Sequence, residues 1–120
     1  MAKKYLMTWK RIINLDKRKG FELHVCGSRE EMRKIEGCHK DWLGFMDETA
    51  EKGDIVGAVV LNKEDLTHDI IMHEITHICL LHFKKKGLCM YDKNEEKFCY
   101  LIGRVAKQVY SALKLDGYNV

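Results

Sequence analysis

The sequence lacks the features that divide a chain into several units or direct it to a membrane. Its 120 residues contain no proline, no glycine/serine-rich linker, no internal repeat and no low-complexity tract. We therefore expect a single domain over residues 1–120 with one modest core. No apolar run approaches the ~18 residues that cross a bilayer, and no apolar segment follows the lysines of MAKKYLMTWKR at the chain start. Neither membrane association nor export is expected.

Cysteine pairs and a strong charge imbalance are also missing. The five cysteines form no CxxC pair and their number is odd, which disfavours a disulfide framework and favours a reducing cytoplasm. The 21 basic and 18 acidic residues give a formal net charge of only +3, and the basic runs are short and separated. Nucleic-acid binding is not indicated by this balance.

The first half of the chain has the texture of a sheet. The runs 5–15 and 21–27 flank DKRKG and predict a hairpin or two neighbouring strands, although the first run also suits a helix. Further strands are predicted at WLGFM (42–46) and IVGAVVLN (55–62). The expected result is a small N-terminal antiparallel or mixed β-sheet.

Helices are indicated by capping patterns. Ser28 followed by Glu31 predicts a capping box before REEMRKIE, a short helix that Gly37 ends. Asp65 or Thr67 can cap a helix over about 66–85, whose end suits Lys84, Lys85, Lys86 and Gly87. Asp92 with Glu95 repeats the capping pattern before a helix over about 94–114, with an apolar stripe of Phe98, Leu101, Ile102, Val105, Val109, Ala112 and Leu113. The expected fold class is α+β.

The stretch DIIMHEITHICLL (69–81) places three polar groups in an apolar helix. His73 and His77 are four residues apart, so their imidazoles stand one turn apart on one face and can bind one metal ion, with Glu74 beside them to address a water. Buried polar groups without partners are costly. A metal that binds both histidines resolves this conflict, so the HExxH sequence predicts a metal site.

A catalytic zinc site uses three protein ligands and one open position. The HExxHxxGxxH pattern is excluded, because Leu80 stands at the glycine position and Phe83 at the third histidine. A glutamate of the next helix is the remaining candidate. Helical phase favours Glu95 as the inward residue, whereas capping occupies Glu95 and leaves Glu96 free. The two local arguments disagree.

From Ile70 to Val105 the chain resembles the small glutamate-zincins, the minigluzincin-like metallopeptidases often encoded by phages and mobile elements. In these proteins HExxH is followed by a helix that begins with an Asn/acidic-Glu-x-Phe-small-Tyr-Leu-x-Gly pattern, here NEEKFCYLIG over residues 94–103. The resemblance implies a zincin-like fold with Glu96 as the third metal ligand. It also places Tyr100 near the metal and Gly103 at a close approach of the two helices.

The function implied is hydrolysis of a peptide bond in a peptide or protein substrate. Zinc held by His73, His77 and Glu96 would activate a water, and Glu74 would act as the general base. Tyr100 is the further catalytic residue expected beside Glu74, although its position suits a packing tyrosine with its hydroxyl at the rim equally well. Tyr100, Tyr91 and His82 are candidates to support the oxyanion by position only. In larger zincins the strand before the active-site helix lines the substrate cleft, and IVGAVVLN would be its counterpart.

Two other functions remain open. One is a metal-containing regulatory or interaction protein without useful turnover. The other is a metal-dependent nuclease that uses His73, His77 and His82, although the spacing and glycine of that pattern are missing. We expect the remaining histidines to be hydrogen-bonded core residues and the helical cysteines to be small core residues, although a thiolate beside the site could compete for zinc. These residues are His24, His39, His68 and His82, with Cys79 and Cys99.

Overall fold

The computed structural model describes residues 8–91 and 93–120. Its first two strands, β1 (Trp9–Asn14) and β2 (Gly20–Cys26), form the predicted antiparallel hairpin. Residues 5–7 of the first predicted run and the cap at Asp92 lie outside the described part of the chain. The helical alternative for the first run is wrong over its described residues, because β1 pairs with β2 in register from Trp9 with Val25 to Asn14 with Gly20.

The sheet has four strands in the order β1-β2-β4-β3, where β3 is Phe45–Asp47 and β4 is Ile55–Asn62. β4 runs parallel to β2 and antiparallel to β3. The prediction of a mixed sheet is confirmed. β4 was predicted with its observed bounds, and it is buried from Val56 to Asn62. Such burial on both faces explains its nearly continuous apolar sequence.

Three α-helices follow the predicted order. They are α1 (Arg29–Arg33), α2 (His68–Lys85) and α3 (Lys93–Leu115). Ser28 caps α1 by accepting a hydrogen bond from the Glu31 backbone amide at 3.1 Å. Gly87 has φ +69° just after α2, where a left-handed residue ends the helix. No helix of the described ranges is long and apolar enough to cross a membrane.

Two boundaries differ from the sequence prediction by three residues each. α1 ends at Arg33 rather than at Glu36. The run 42–46 is a strand only from Phe45 onward. The preceding segment is held differently, because the guanidinium of Arg33 donates to the Trp42 carbonyl and the amide of Asn62 donates to the Leu43 carbonyl at 3.0 Å. Side-chain hydrogen bonds thus replace the ladder that a longer strand would need.

The core lies on both faces of the sheet. On one face α2 and α3 cover the strands, and their buried residues include Ile71, Ile75 and Ile78 of α2 with Val105 and Val109 of α3. α1 covers the other face with a smaller cluster of Cys26, Met32, Ile35, Phe45, Ala58 and Val60. The molecule is a compact α+β domain.

α2 and α3 run antiparallel and make two ring contacts. Phe83 packs edge-on against Phe98 with ring centroids 5.2 Å apart, and His68 packs against Tyr110 at 5.1 Å. The predicted apolar stripe of α3 is confirmed, since Leu101, Val105, Val109 and Leu113 are buried. Because these contacts cover one side of α2, the side that carries His73 and His77 stays exposed.

Candidate metal centre

His73 and His77 lie on α2 with their Nε2 atoms close together. The two Nε2 atoms are 3.1 Å apart, and the ring planes are inclined at 77°. Two imidazoles bound to one tetrahedral zinc at about 2.0–2.1 Å would have nitrogens roughly 3.3 Å apart. The observed separation is therefore close to that of two ligands of one metal ion.

Glu74 completes the group. One ligand atom from each of His73, Glu74 and His77 lies within 4.8 Å of the others. The two histidines are exposed, whereas Glu74 retains only 6% of its accessible surface. Burial raises the pKa of the Glu74 carboxyl, and nearby His73 acts in the opposite direction. A raised carboxyl pKa brings the group closer to the range in which a general base works at neutral pH.

The cavity in front of these residues measures about 310 Å³, and its far wall is the segment that leads into β3. It is lined by Trp42, Gly44, Phe45, Met46, His73, Glu74 and His77. The strand expected at the cleft, IVGAVVLN, is instead internal to the sheet, because β3 pairs on its outer side. The edge strand β3 and the residues before it take that position.

Gly44 allows this segment to approach α2. A Cβ atom at Gly44 would lie 3.2 Å from Cγ2 of Ile70 and 3.4 Å from Cγ of Glu74. Trp42 stands beside it in a chain of rings, with centroids 5.7 Å from His39 and 5.8 Å from the buried Phe45. Sequence reasoning missed these cleft residues. A glycine inside a predicted strand is the signal that could have found them, because it often marks a close approach.

Glu96 does not join the metal group in this arrangement. It is exposed in the first turn of α3 and is absent from the cluster that contains His73 and His77. His77 precedes Phe83 by six residues on α2, so it lies about 9 Å along the helix from the Phe83–Phe98 contact. Because the helices are antiparallel, Glu96 lies on the other side of that contact. The eight residues of α2 that follow His77 carry the start of α3 away from the histidines.

Tyr100 lines a second cavity, together with His82 and Arg104. Glu96 is four residues from Tyr100 and only about 40° from it around α3, whereas Glu95 is about 140° away. Lys97 and Arg104 line that cavity beside Tyr100, whereas Glu96 lies on the other flank of Tyr100 and is not among the lining residues. Gly103 has open space around the position of a Cβ atom, with no atom of residues 8–91 and 93–120 within 4 Å. The expectation that Gly103 permits a close approach of the two helices is wrong.

His82 belongs to the opposite side of α2. It lies about 140° from His77 and about 180° from His73 around an ideal helix. Its Nε2 atom is 3.3 Å from Oδ2 of Asp16, and the side chain is only 3% exposed. Desolvation lowers the pKa of His82, while Asp16 acts in the opposite direction. His82 is thus a partnered core histidine, as expected, and does not extend the pair into a three-histidine site.

The remaining predictions divide according to burial. His24 is buried and contacts Glu22 through Nε2 at 3.0 Å, so the core prediction is confirmed for it. It is wrong for His39 and His68, which are exposed. Cys79 is a core residue, and burial raises the pKa of its thiol to about 12. Cys99 is exposed, contrary to the prediction.

Comparison with known proteins adds no relative. The chain matches no family model, no curated sequence and no solved structure. The case for function therefore depends on the residues and geometry of the chain itself.

Proposed function

We propose that this chain is a metal-dependent peptidase with a zincin-like fold, in which His73 and His77 hold zinc and Glu74 is the general base. The observation that carries the proposal is the convergence of the two Nε2 atoms, 3.1 Å apart, beside a buried carboxylate in one open cavity. Imidazole ligands suit zinc among the common divalent metals.

The donor set fits the ion in part. His73 and His77 would hold it, and when bound it would supply Lewis acidity toward a water and a carbonyl oxygen. The resemblance assigns a third position to Glu96, which the described arrangement keeps away from the histidines. The proposal therefore depends on the two histidines, and Glu96 stays a prediction to be tested separately.

Glu74 would move the proton. Its carboxylate lines the cavity next to both histidines, so it can accept a proton from the attacking water and deliver it to the leaving amine. Its raised pKa favours this double role, because the protonated form is less costly than in a fully solvated carboxyl. Tyr100 lines the second cavity, so we assign it no step in this reaction.

The cleft indicates how a substrate would bind. β3 is an edge strand of the described sheet, so an extended peptide can add to it by backbone hydrogen bonds. Trp42, Phe45 and Met46 give the cavity an apolar wall opposite the histidines. We propose that the substrate is a peptide segment with an apolar side chain next to the scissile bond.

The test is hydrolysis of a peptide library by zinc-loaded protein, compared with the Glu74→Gln variant. We expect Glu74→Gln to keep its zinc and to lose at least about 10²-fold in kcat, the usual contribution of a general base. Glu95→Gln, an exposed change on α3, is the matched control and keeps activity. A fully active Glu74→Gln protein would refute the assignment of the base.

The second candidate is a metal-binding regulatory protein without turnover. It is favoured by the small cavity of about 310 Å³ and by the absence of a third ligand from the described histidine cluster. A wild-type protein that binds zinc but cleaves no library peptide would select it. The nuclease alternative has less support, because His82 is buried against Asp16 on the far side of α2.

A further inference from the structure

A second cavity of about 390 Å³ lies on the side of α2 opposite the metal centre. It combines an apolar wall with charged groups: Leu88 and Leu101 line it, as do Lys86, Lys97 and Arg104. Its volume falls in the usual range of small-molecule sites, ~300–1,000 Å³. The proposed peptidase function uses none of these residues.

The positive charge of the chain is concentrated here. The cavity and its neighbour of about 580 Å³ share Leu15, Asp16 and Arg104. Together they are lined by five cationic residues and one carboxylate, Asp16, a surplus of four positive charges. The whole chain carries only +3, so everything outside this region sums to a slightly negative charge.

Two of the cations have no acidic partner among the described residues. Lys86 Nζ is 3.4 Å from Oδ2 of Asp16, whereas no ion pair joins Lys97 or Arg104 to any carboxylate of residues 8–91 and 93–120. The guanidinium of Arg104 donates to the Leu15 carbonyl at 2.7 Å, which fixes its position and leaves further N–H donors for a ligand.

Asp16 lines the cavity and holds neighbouring groups in place. Its carboxylate accepts hydrogen bonds from the backbone amides of Arg18 at 2.8 Å and Lys19 at 2.7 Å. It also contacts the buried imidazole of His82 at 3.3 Å. These contacts place Lys86 and His82 before any ligand arrives, which reduces the entropic cost of binding.

We propose that this cavity binds a phosphate monoester with a small apolar or aromatic body, its phosphoryl group held by Lys86, Lys97 and Arg104 and its body placed on Leu88 and Leu101. The three cations and the Asp16 carboxylate leave a surplus of two positive charges. A phosphate monoester carries about −1.5 to −2 at pH 7. Its charge therefore matches the site better than the single charge of a carboxylate.

The experiment is titration calorimetry with phenyl phosphate on full-length protein in EDTA, so that no metal binds the probe. We expect saturable one-to-one binding with a Kd below about 1 mM. Arg104→Gln and Lys97→Gln should each weaken binding by at least about tenfold, since each removes charge-assisted hydrogen bonds. Lys114→Gln, an exposed change near the end of the same helix, is the matched control and leaves the Kd unchanged.

Further probes define the ligand and its location. Benzoate should bind at least about tenfold more weakly than phenyl phosphate, and inorganic phosphate should displace the latter. Backbone amide shifts should change at Leu88 and Tyr100 and not at His73 or His77. Because Lys97 is exposed and unpaired among described residues, its variant remains informative if Arg104→Gln fails to fold.

Three results would overturn the proposal. The first is no saturable binding of phenyl phosphate. The second is binding that both variants retain unchanged. The third is a single-stranded oligonucleotide that binds while phenyl phosphate does not, which would identify the two adjoining cavities as a groove for a nucleic-acid backbone.

Discussion

The two faces of α2 use the same residue type in opposite ways. His73 and His77 are exposed, and their Nε2 atoms lie 3.1 Å from each other. His82 is almost fully buried and faces the carboxylate of Asp16. Exposed imidazoles that converge on one point are typical of metal ligands, whereas a buried imidazole beside a carboxylate is typical of a structural histidine. Environment, and not residue type, separates the two roles.

We expect zinc affinity to show the largest difference between variants on the two faces of α2. His73→Ala and His77→Ala each remove one of the two converging nitrogens, so we expect zinc affinity to fall by at least about 100-fold. His82→Gln should keep zinc while it destabilises the fold. Native mass spectrometry with zinc titration measures the zinc affinity of all three variants. His39→Ala, which changes an exposed histidine outside the group, is the control. Equal zinc loss in His82→Gln would contradict the comparison.

The His82 face should respond to acid through Asp16. Backbone hydrogen bonding from Arg18, with help from Lys19, Lys86 and His82, lowers the pKa of Asp16 from 3.8 to about 2 despite partial desolvation. A lowered carboxyl pKa stabilises the fold above pH ~4, and this contribution disappears as pH falls toward ~2. The side chain is 30% exposed, so solvent screening reduces the contribution to about 1–2 kcal/mol.

Urea unfolding of wild-type and Asp16→Asn protein checks this contribution. The difference in unfolding free energy should be about 1–2 kcal/mol at pH 7 and should shrink toward zero near pH 2. Asp54→Asn changes a carboxyl that is 81% exposed and should alter stability by less than about 0.5 kcal/mol. A difference between wild type and Asp16→Asn that grows as the pH falls would have the wrong sign and would refute the role of Asp16.

The Gly103→Ala variant tests whether α2 and α3 approach each other closely at Gly103. A glycine inside a helix costs roughly 0.5–1 kcal/mol relative to alanine, and a Cβ atom at position 103 meets no atom of the described residues within 4 Å. We therefore expect thermal unfolding to show a stabilisation of about that size, with zinc binding unchanged. If the variant were destabilised, the two helices would have to approach at Gly103 as the resemblance implies.

The smallest effect is expected at the start of α3. Glu96→Ala should change zinc affinity by less than about twofold, as should its neighbour Glu95→Ala, because both are exposed and outside the histidine cluster. The resemblance to glutamate-zincins predicts instead that Glu96→Ala alone loses the metal. Zinc titration of the two variants side by side decides between these outcomes.

Local patterns were sufficient for the elements and for the centre of the site. The apolar period and the capping residues around His68–Lys85 indicate a helix from local sequence alone. The apolar run Ile55–Asn62 indicates a buried strand in the same way, so the sequence predicts both elements within a few residues. The i, i+4 spacing of His73 and His77 is likewise local to one helix. What brings Gly44 to Glu74, or Asp16 to His82, is the packing of distant segments, which no short pattern encodes.

The position of Glu96 relative to the histidines shows the same limit. Its place in a motif is local, but its distance from His77 depends on how far α2 continues before the chain turns, and α2 runs to Lys85. The capping argument for Glu95 depended on Asp92, which lies outside the described residues. Neither the helical phase nor the capping pattern of α3 depends on which turn of α2 the start of α3 lies beside.

Trp42, whose ring lies between those of His39 and Phe45, gives this protein a built-in optical probe. The chain has two tryptophans. Trp42 lines the cavity with His73 and His77, while Trp9 lies in β1 and donates from its indole nitrogen to Asp116 at 2.8 Å. In a Trp9→Phe protein the tryptophan fluorescence therefore comes from the cleft alone, and its quenching by Co²⁺ or by a bound peptide would report occupancy of the site without any assay of turnover.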